Sequence, residues 1–350
     1  MNQDPAARTS LVLAALVILL AAAYFARPIL APVTFAIFIV AVVWPLQSGL
    51  QRRLPKLLAL VVTLLSTLTA ISVLGYLVIW AFGLVAQWLV SNTARFQALY
   101  QQAADWLEAH GVAVNALMAT SFNPSWVTGA LRGIGGQGYG LLSFVVIAFA
   151  FTVLGLLEVD LARANIQRLD NPRLRDALLT PAQEISAKFQ KYMLVRSTMS
   201  VLTGAVVWVF ALASGIELAT AWGVIAFVLN YIPFIGPLVA TVFPSLFALA
   251  QFESWNLALV VFGCLNAIQF FIGSYLEPRI AGARLSLSPF MVLFAVFFWS
   301  FLWGVAGAFI GVPILIAALT ICGEHESSKW ISTLLAGGDR AAPGIVAARD

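Results

Sequence analysis

Long runs of apolar residues follow one another along most of the chain, separated by shorter polar segments. A helix needs about 20 mostly apolar residues to cross a hydrocarbon core about 30 Å thick. Runs near this length predict about six full membrane spans, at residues 11–26, 29–46, 57–84, 140–157, 196–214 and 255–275. Two longer apolar regions, 219–250 and 289–321, are interrupted by proline and glycine. The runs indicate helices, because strands of a membrane barrel alternate between apolar and polar residues.

Composition supports the same fold class. Of the 350 residues, 61% are hydrophobic and 10% are charged, whereas soluble domains average about 45–50% apolar and about 25% charged residues. We therefore expect an all-α polytopic membrane protein that is surrounded by the lipid bilayer.

Two polar segments separate the predicted spans. Residues 86–139 begin with an amphipathic stretch whose apolar face is formed by Leu89, Phe96, Leu99, Ala103, Trp106 and Leu107. This stretch predicts either a helix at the membrane interface or an oligomer contact, and the glycine-rich second half predicts a loop returning to the membrane. Residues 158–195 are rich in charge, with a D-N-P-R turn between two short helices. Their apolar stripe of Ile185, Phe189 and Tyr192 is typical of a helix on the membrane surface.

The distribution of basic residues predicts the orientation. The 47–56 loop holds three Lys or Arg residues and the 158–196 segment holds seven, whereas the 86–139 segment holds only Arg95 and Arg132. Cytoplasmic loops are enriched in Lys and Arg, so we expect both basic segments and the N-terminus to be cytoplasmic. Topology thus accounts for the net charge of +4, and no nucleic acid is expected as a partner.

The two interrupted regions are predicted to be re-entrant, broken-helix hairpins of opposite orientation. If 219–250 enters and leaves on one side, then 251–254, without a basic residue, lies outside, and 277–288, with two arginines, lies in the cytoplasm. The same reasoning makes 289–321 a hairpin entered from the cytoplasm and returns the C-terminus to that side.

The first hairpin contains the stretch L-N-Y-I-P-F-I-G-P at 229–237. Pro233 and Pro237 lack amide donors, and Gly236 tolerates turns that a side chain would forbid. Broken backbone at membrane depth survives where it is buried in protein or lines a wet cavity, and its free carbonyls can hold a polar ligand. Asn230 both donates and accepts hydrogen bonds, either to a solute or to the loose backbone.

The second hairpin repeats this pattern weakly, since F-I-G-V-P at 309–313 matches F-I-G-P at 234–237. The repeat predicts an inverted-repeat transporter whose polar site lies between the tips, near 230–237 and 307–313. The candidates for substrate binding or gating in the second tip are Gly307, Gly311 and Pro313. Close helix packing is the alternative role for the glycines.

Glu277 is the leading candidate for a gating or coupling carboxylate. It follows the 255–275 span and adjoins Pro278 and Arg279. Placing a charged side chain at the bilayer centre costs about 2.5–3.5 kcal/mol of free energy on insertion scales, so such residues usually have a functional role. Glu277 and Arg279 can instead form a structural pair that caps the span.

Two polar pairs lie inside predicted spans. Asn266 and Gln269 are three residues apart and share a helical face. They predict either a polar contact between helices or pore-lining side chains. Ser200 and Thr203 have the same spacing and are expected to be packing residues.

The chain lacks the motifs of several other function classes. It contains no GxSxG, HExxH or Walker sequence, so neither an enzyme nor direct drive by ATP is expected. Cys264, Cys322, His110 and His325 show no metal-ligand spacing, and no metal or cofactor is predicted.

Four motifs carry a resemblance to a known family. L-N-Y-I-P-F-I-G-P, Y-L-E-P-R-I-A-G at 275–282, L-S-L-S-P at 285–289 and G-x-x-G-x-F-I-G-V-P at 304–313 resemble the autoinducer-2 exporter family in order and spacing. The likeness covers nearly the whole chain and is strong over residues 191–321.

The resemblance implies a multi-pass transporter of the bacterial inner membrane that forms a homo-oligomer, with members looking pentameric. It implies export of a small polar solute, such as the quorum-sensing signal autoinducer-2, or sodium/proton exchange, and a non-transporting scaffold is the further alternative. The expected organisation is N-terminal transmembrane helices (1–85), an extracytoplasmic segment (86–139), a transmembrane helix (140–157), a cytoplasmic helical segment (158–195), a transport core (196–321) and a cytoplasmic tail (322–350).

Overall fold

The computed structural model describes residues 5–110, 138–281, 287–324, 326 and 328–335. Its helices are α1 (Pro5–Phe25), α2 (Arg27–Leu50), α3 (Lys56–Ser91), α4 (Thr93–Ala109), α5 (Gly138–Gln167), α6 (Pro172–Ala213), α7 (Ala219–Leu229), α8 (Ile235–Phe252), α9 (Trp255–Phe270), α10 (Glu277–Ala281), α11 (Pro289–Glu324) and α12 (Lys329–Leu335). A π-helical segment, Phe271–Leu276, joins α9 to α10. The glycine-rich part of the 86–139 segment, part of the L-S-L-S-P motif and the tail beyond residue 335 lie outside the described residues.

The expected fold class, an all-α polytopic membrane protein, is confirmed. In the described part of the chain, seven helical stretches are long and apolar enough to cross a membrane: 27–50, 56–91, 142–167, 172–213, 235–252, 255–280 and 289–324. Five of them correspond to predicted full spans. The first predicted span lies in α1, whose apolar part Ser10–Phe25 is shorter. The other two stretches are α8 and α11, which belong to the predicted hairpins.

The chain divides into two compact units. Unit 1 comprises residues 1–65, 140–192 and 283–350, and unit 2 comprises residues 66–139 and 193–282. Helices α3 and α6 each supply residues to both units. Each unit contains one of the interrupted apolar regions, α11 in unit 1 and α7 with α8 in unit 2.

The D-N-P-R turn lies where the sequence predicts it, but the flanking helices are long. Helix α5 ends at Gln167 and α6 begins at Pro172, with the Asn171 side chain accepting the Arg173 N–H at 3.0 Å. An asparagine cap followed by proline in the first turn is a strong helix start. Helix α6 then continues to Ala213, so the expectation of two short helices was wrong, because no strong breaker separates the charged segment from the apolar span.

Unit 1 is held together by aromatic contacts around α2 and α11. Helix α11 packs against α2 and α12, and α1 contacts α2 and α11. The ring of Phe38 lies 5.1 Å from that of Phe189, and the ring of Phe35 lies 5.6 Å from that of Phe309. Phe189 belongs to the apolar stripe of the charged segment and is 5% exposed, so this stripe packs partly inside unit 1.

Helix α11 turns back on itself at Gly304, whose backbone has φ 64° and ψ −143°. A Cβ on Gly307 would lie 1.9 Å from the Trp299 carbonyl oxygen, and a Cβ on Gly311 would lie 2.8 Å from that of Ala295. Gly307 and Gly311 are four residues apart on the second arm, and they face Trp299 and Ala295, which are four residues apart in the reverse direction on the first arm. Residues 289–303 and 305–324 therefore form an antiparallel helical hairpin.

Unit 2 contains the second antiparallel hairpin, formed by α7 and α8. A Cβ on Gly236 would lie 2.0 Å from the Leu229 carbonyl oxygen, and the rings of Trp222 and Phe247 are 5.2 Å apart further along the arms. Helix α8 also packs against α9 and α4. Whether both ends of each hairpin lie on one side of the membrane stays a prediction.

The amphipathic stretch at the start of the 86–139 segment forms α4, and part of its apolar face packs within unit 2. Leu99 is buried in a cluster with Leu249, Ala250 and Ala258, against which Phe96 packs. Trp106, on the predicted apolar face, is 62% exposed. An interface or oligomer role for the exposed part stays a prediction.

Candidate functional site

The part of α6 that belongs to unit 2 carries polar side chains on a buried face. Arg196, Ser200 and Thr203 are spaced by four and three residues, so they share one side of the helix. Arg196 is 9% exposed, and Ser200 and Thr203 are fully buried. Polar groups inside membrane helices are costly and mark functional positions.

The break between α7 and α8 supplies partners for this face. The Asn230 side-chain Nδ2 donates to Ser200 Oγ at 3.3 Å, and the Tyr231 hydroxyl donates to Ser197 Oγ at 3.0 Å. Asn230 is 6% exposed. Both partners follow the end of α7, where the approaching Pro233 disfavours further helix. The helix break therefore presents side chains directly to α6.

A third contact joins α6 to the residues after α9. The Arg196 Nη1 donates to Glu277 Oε2 at 3.2 Å, and the two side chains are 11% and 24% exposed. The Arg279 guanidinium lies over the Tyr275 ring, 4.2 Å from its centroid. Glu277 is thus paired with Arg196 rather than with Arg279. The three contacts, Arg196–Glu277, Ser197–Tyr231 and Ser200–Asn230, are called the polar ladder below.

The π-helical segment sets the position of Glu277. The Glu277 N–H donates to the carbonyl of Ile272, five residues back. Pro278 has no N–H and its ring would clash with the carbonyl four residues earlier in a regular α-helix. The wider π turn just before the proline accommodates it, and such turns are frequent at functional sites.

The tip of the α7–α8 hairpin is a strained turn. Phe234 has φ 63° and ψ −52°, and the Ile235 N–H donates to the Pro233 carbonyl at 2.7 Å. This pattern is a γ-turn with positive φ, which is rare and strained for a residue with a side chain. The Phe234 side chain is 45% exposed, so packing of that side chain alone does not explain the conformation.

Gly236 is fixed by close approach of the backbone. Its N–H donates to the Ile232 carbonyl at 3.0 Å, and its Cα lies against the Leu229 carbonyl, leaving no room for a Cβ. Pro233 is buried and Pro237 is half-buried. The predicted candidates of the first tip therefore cluster at one turn, beside the polar ladder.

The predicted pair on α9 lies apart from the polar ladder's contacts. Asn266 is exposed, and its Nδ2 donates to the Phe262 carbonyl of its own helix at 3.0 Å. Gln269 is half-buried, and within the described part of the chain its Nε2 has no hydrogen-bond partner. The roles of Asn266 and Gln269 stay predictions.

The second tip, in unit 1, is apolar. Gly307, Gly311 and Pro313 are all buried, and the stretch 304–316 contains only apolar residues, glycine and proline. The two glycines are explained by the close approach of the hairpin arms. A polar solute at this tip would meet backbone groups rather than polar side chains.

Sequence reasoning missed part of the site. Ser200 was expected to pack between helices, but it accepts a hydrogen bond from Asn230. Ser197 and Tyr231 did not stand out, because single hydroxyl groups are common in membrane helices. The detectable signal was periodicity, since Arg196, Ser200 and Thr203 fall on one face.

Metal ligation has no support among the residues that the structure describes. No group of three His, Cys, Asp or Glu side chains there is close enough to hold a metal ion. Cys264 and Cys322 are free thiols. The chemistry of the polar ladder is thus hydrogen bonding and one ion pair.

Comparison with known proteins identifies the family. Residues 13–326 match the family model described as AI-2E family transporter. The AI-2 transport protein TqsA of Escherichia coli K12 is 26% identical over 93% of this chain and 94% of its own length. A Borreliella burgdorferi protein named "Putative transport protein" is 30% identical over 57% of this chain and 56% of its own length, little more than half. The E. coli K12 protein named "Putative transport protein YhhT" is 26% identical over 86% of each chain. The chain belongs to the AI-2E transporter family and is a multi-span membrane transporter.

Proposed function

We propose that this chain exports a small, uncharged polar solute across the bacterial inner membrane, and that the polar ladder of unit 2 contacts the solute. The observation that carries the proposal is the pairing of the α7–α8 break with buried polar residues of α6. Broken helices that place hydrogen-bonding groups at membrane depth are typical of secondary transporters.

The polar ladder suits a ligand that exchanges hydrogen bonds. Its Ser200–Asn230 and Ser197–Tyr231 contacts measure 3.3 Å and 3.0 Å and join neutral groups. A neutral hydrogen bond contributes only about 0.5–1.5 kcal/mol net, so a hydroxyl-rich solute can replace it at small cost. The one charged pair, Arg196–Glu277, is already neutralised internally, which disfavours a multiply charged solute.

Autoinducer-2, a hydroxyl-rich furanone-derived signal, is the first solute to test. It fits the solute class that the ladder suggests, and the relative TqsA is named as an AI-2 transport protein. We further propose that both termini are cytoplasmic, in keeping with the basic segments, and that the chain forms a homo-oligomer, a pentamer by its family resemblance.

The test is flux of labelled autoinducer-2 in vesicles reconstituted with the purified protein. Asn230→Ala and Ser200→Ala should each lower the flux about tenfold, since a lost contact of about 1.4 kcal/mol in the rate-limiting state has that effect. Thr198→Ala is the matched control, because Thr198 is exposed on α6 and its hydroxyl binds the Leu194 carbonyl of its own helix.

Two outcomes would contradict this proposal. Flux equal to that of empty vesicles would remove autoinducer-2 as the solute. Wild-type flux in both Asn230→Ala and Ser200→Ala would remove the polar ladder as the contact region. Equal loss in Thr198→Ala would indicate damage to α6 instead.

A sodium/proton antiporter is the second candidate, and the Arg196–Glu277 pair favours it. An antiporter needs a titratable group inside the membrane, and Glu277 is a carboxylate held by a buried arginine. Here the test is collapse of an imposed pH gradient when sodium is added. Loss of the response in Glu277→Gln, with Glu253→Gln unchanged as the exposed control, would favour the antiporter over furanone export.

A further inference from the structure

Unit 1 contains a pocket that is separate from the polar ladder. Its volume is about 290 Å³, and it lies among the C-terminal end of α2, the N-terminal end of α3 and the second half of α5. Gln47, Gln51, Lys56 and Asp160 supply its polar lining, and the remaining lining residues are leucine and alanine. It therefore combines charge, amide groups and an apolar wall.

Gln47 has an unused hydrogen-bonding atom at this pocket. The residue is 2% exposed, and its Nε2 donates to the Leu156 carbonyl at 3.3 Å. Its other amide atom, Oε1, is buried and has no hydrogen-bond partner among the residues that the structure describes. Buried polar atoms are nearly always hydrogen-bonded in native proteins, so this oxygen indicates a ligand that donates an N–H or O–H.

The two charged residues of the lining have opposite signs. Lys56 is a cation at the start of α3, and Asp160 is an anion on α5. Asp160 is held in place because Trp44 Nε1 donates to its Oδ1 at 3.3 Å, and the Arg163 guanidinium lies over the Trp44 ring. One cation, one fixed anion and one free acceptor complement a ligand that carries both a phosphate and an ammonium group.

The pocket lies where apolar helix surface gives way to charge. Leu57, Leu157 and Leu161 line the pocket, and their exposed fractions are 73%, 52% and 62%. Exposed leucines on a membrane helix face acyl chains, whereas Lys and Asp belong at headgroup depth. The pocket thus offers a polar end and an apolar flank to one amphipathic molecule.

We propose that this pocket binds phosphatidylethanolamine. The phosphate pairs with Lys56, the primary ammonium donates to Asp160 and to Gln47 Oε1, and the acyl chains follow the exposed leucines. Phosphatidylglycerol has the phosphate without the ammonium. Phosphatidylcholine has a quaternary ammonium with no N–H to donate. These two lipids therefore separate the charge of the ammonium from its N–H donors, while the phosphate is common to all three.

Binding is tested by native mass spectrometry of the delipidated full chain with the three lipids, matched in acyl chains. We expect phosphatidylethanolamine to be retained at least about fivefold more than the other two, since charge-assisted hydrogen bonds are roughly twice as strong as neutral ones. Asp160→Asn should abolish the preference, whereas Lys56→Gln should lower the retention of all three lipids, because they share the phosphate. Asparagine at position 160 still accepts from Trp44, so the local structure is kept.

Matched controls distinguish the pocket from general charge effects. Arg53→Gln and Asp170→Asn make the same charge changes at exposed residues outside the lining and should leave the preference unchanged. Thermal unfolding without lipid should be similar for all four variants. Added phosphatidylethanolamine should raise the melting temperature of the wild type and of the controls, but not of the two pocket variants.

Three results would overturn the proposal. Equal retention of the three lipids would show that the pocket does not discriminate between their headgroups. If phosphatidylethanolamine and phosphatidylglycerol are retained equally, and only Lys56→Gln lowers their retention, the site recognises phosphate alone. Displacement of the lipid by an equal concentration of soluble phosphoethanolamine would show a site for a soluble zwitterion rather than for a lipid.

Discussion

The α7–α8 hairpin of unit 2 and the α11 hairpin of unit 1 share a backbone device but differ in chemistry. In each, a glycine of the returning arm lies against a carbonyl of the outgoing arm, Gly236 on Leu229 and Gly307 on Trp299. The first hairpin opens five residues of non-helical chain between its arms, whereas the second turns at Gly304 alone. Only in the first does the break carry polar side chains, and these bond to α6.

The difference shows that a similar turn can present either apolar or polar side chains. An apolar tip such as that of α11 requires only that its backbone be shielded from lipid. A tip with an asparagine and a tyrosine also requires polar partners, and each such partner is a group that a solute can replace. Shape alone therefore does not identify a site, and the proposed site is supported by the hydrogen bonds at the break.

The largest expected effect tests the close approach of glycine to a backbone carbonyl that both hairpins share. Gly236→Ala and Gly307→Ala should each destabilise the protein by about 3 kcal/mol, because the added Cβ meets a backbone oxygen that cannot move aside. Thermal unfolding in detergent measures this. Gly263→Ala is the control, since no described residue outside its own helical turn lies within 4 Å of its Cβ position, and it should be neutral or slightly stabilising. Equal melting temperatures for all three variants would contradict the close approach in both hairpins.

The next effect tests the charged pair that unit 2 partly buries. Glu277→Gln should destabilise by about 2 kcal/mol, less than the 3–5 kcal/mol of a fully buried pair, because Glu277 retains 24% exposure. In unit 1, Glu184 pairs with Lys188 at 2.8 Å but is 42% exposed, so Glu184→Gln should cost under about 0.5 kcal/mol. A double-mutant cycle of Arg196→Gln with Glu277→Gln measures the coupling, and a value near zero would refute the pair.

A smaller effect tests the strained turn. Phe234→Gly should raise stability by about 1 kcal/mol, because glycine adopts positive φ without the cost borne by other residues, and it should change the flux of labelled autoinducer-2. Glu253 also has positive φ, 51°, and is exposed outside the hairpin tip. Glu253→Gly should therefore raise stability with unchanged flux. The same flux change in both variants would dissociate the strain at Phe234 from transport.

The smallest expected effect compares two buried hydroxyl groups. Thr203 in unit 2 finds no hydrogen-bond partner for its Oγ1 among the described residues, whereas Thr152 in unit 1 donates to the Ala148 carbonyl at 2.7 Å. Thr203→Val should stabilise slightly, by about 0.5 kcal/mol, and Thr152→Val should destabilise by about 1 kcal/mol. A lower flux in the more stable Thr203→Val variant would assign this hydroxyl to the solute. Destabilisation by Thr203→Val would show that the hydroxyl has a structural partner.

Several parts of the fold could be predicted because their cause is local. Apolar runs long enough for a bilayer gave the helical class, and the proline and glycine of 229–237 gave the position of the break. Asn171 with Pro172 gave the start of α6. The length of α6 was mispredicted because the composition changes along it, whereas the helix continues through Pro181 and past the charged segment.

The candidate site could be predicted only at its centre. Asn230 and Gly236 stood out because polar and flexible residues are rare in an apolar run. Ser197 did not stand out and Ser200 was expected only to pack, because their roles depend on the side chains that they contact. Glu277 was expected either to act alone or to pair with its neighbour Arg279, and its partner lies 81 residues away in sequence.

The sequence by itself determined that this protein is a helical membrane protein of the AI-2E type, where its helices break, and which residues are unusual in an apolar setting. These properties depend on hydrophobicity and backbone preference, which act within a few residues. The tertiary structure decided which polar groups meet, since hydrogen bonds and ion pairs depend on distances of about 3 Å between helices that are far apart in the chain. It also gathered Gln47, Lys56 and Asp160 around one pocket, from three helices whose sequences give no sign of a shared ligand.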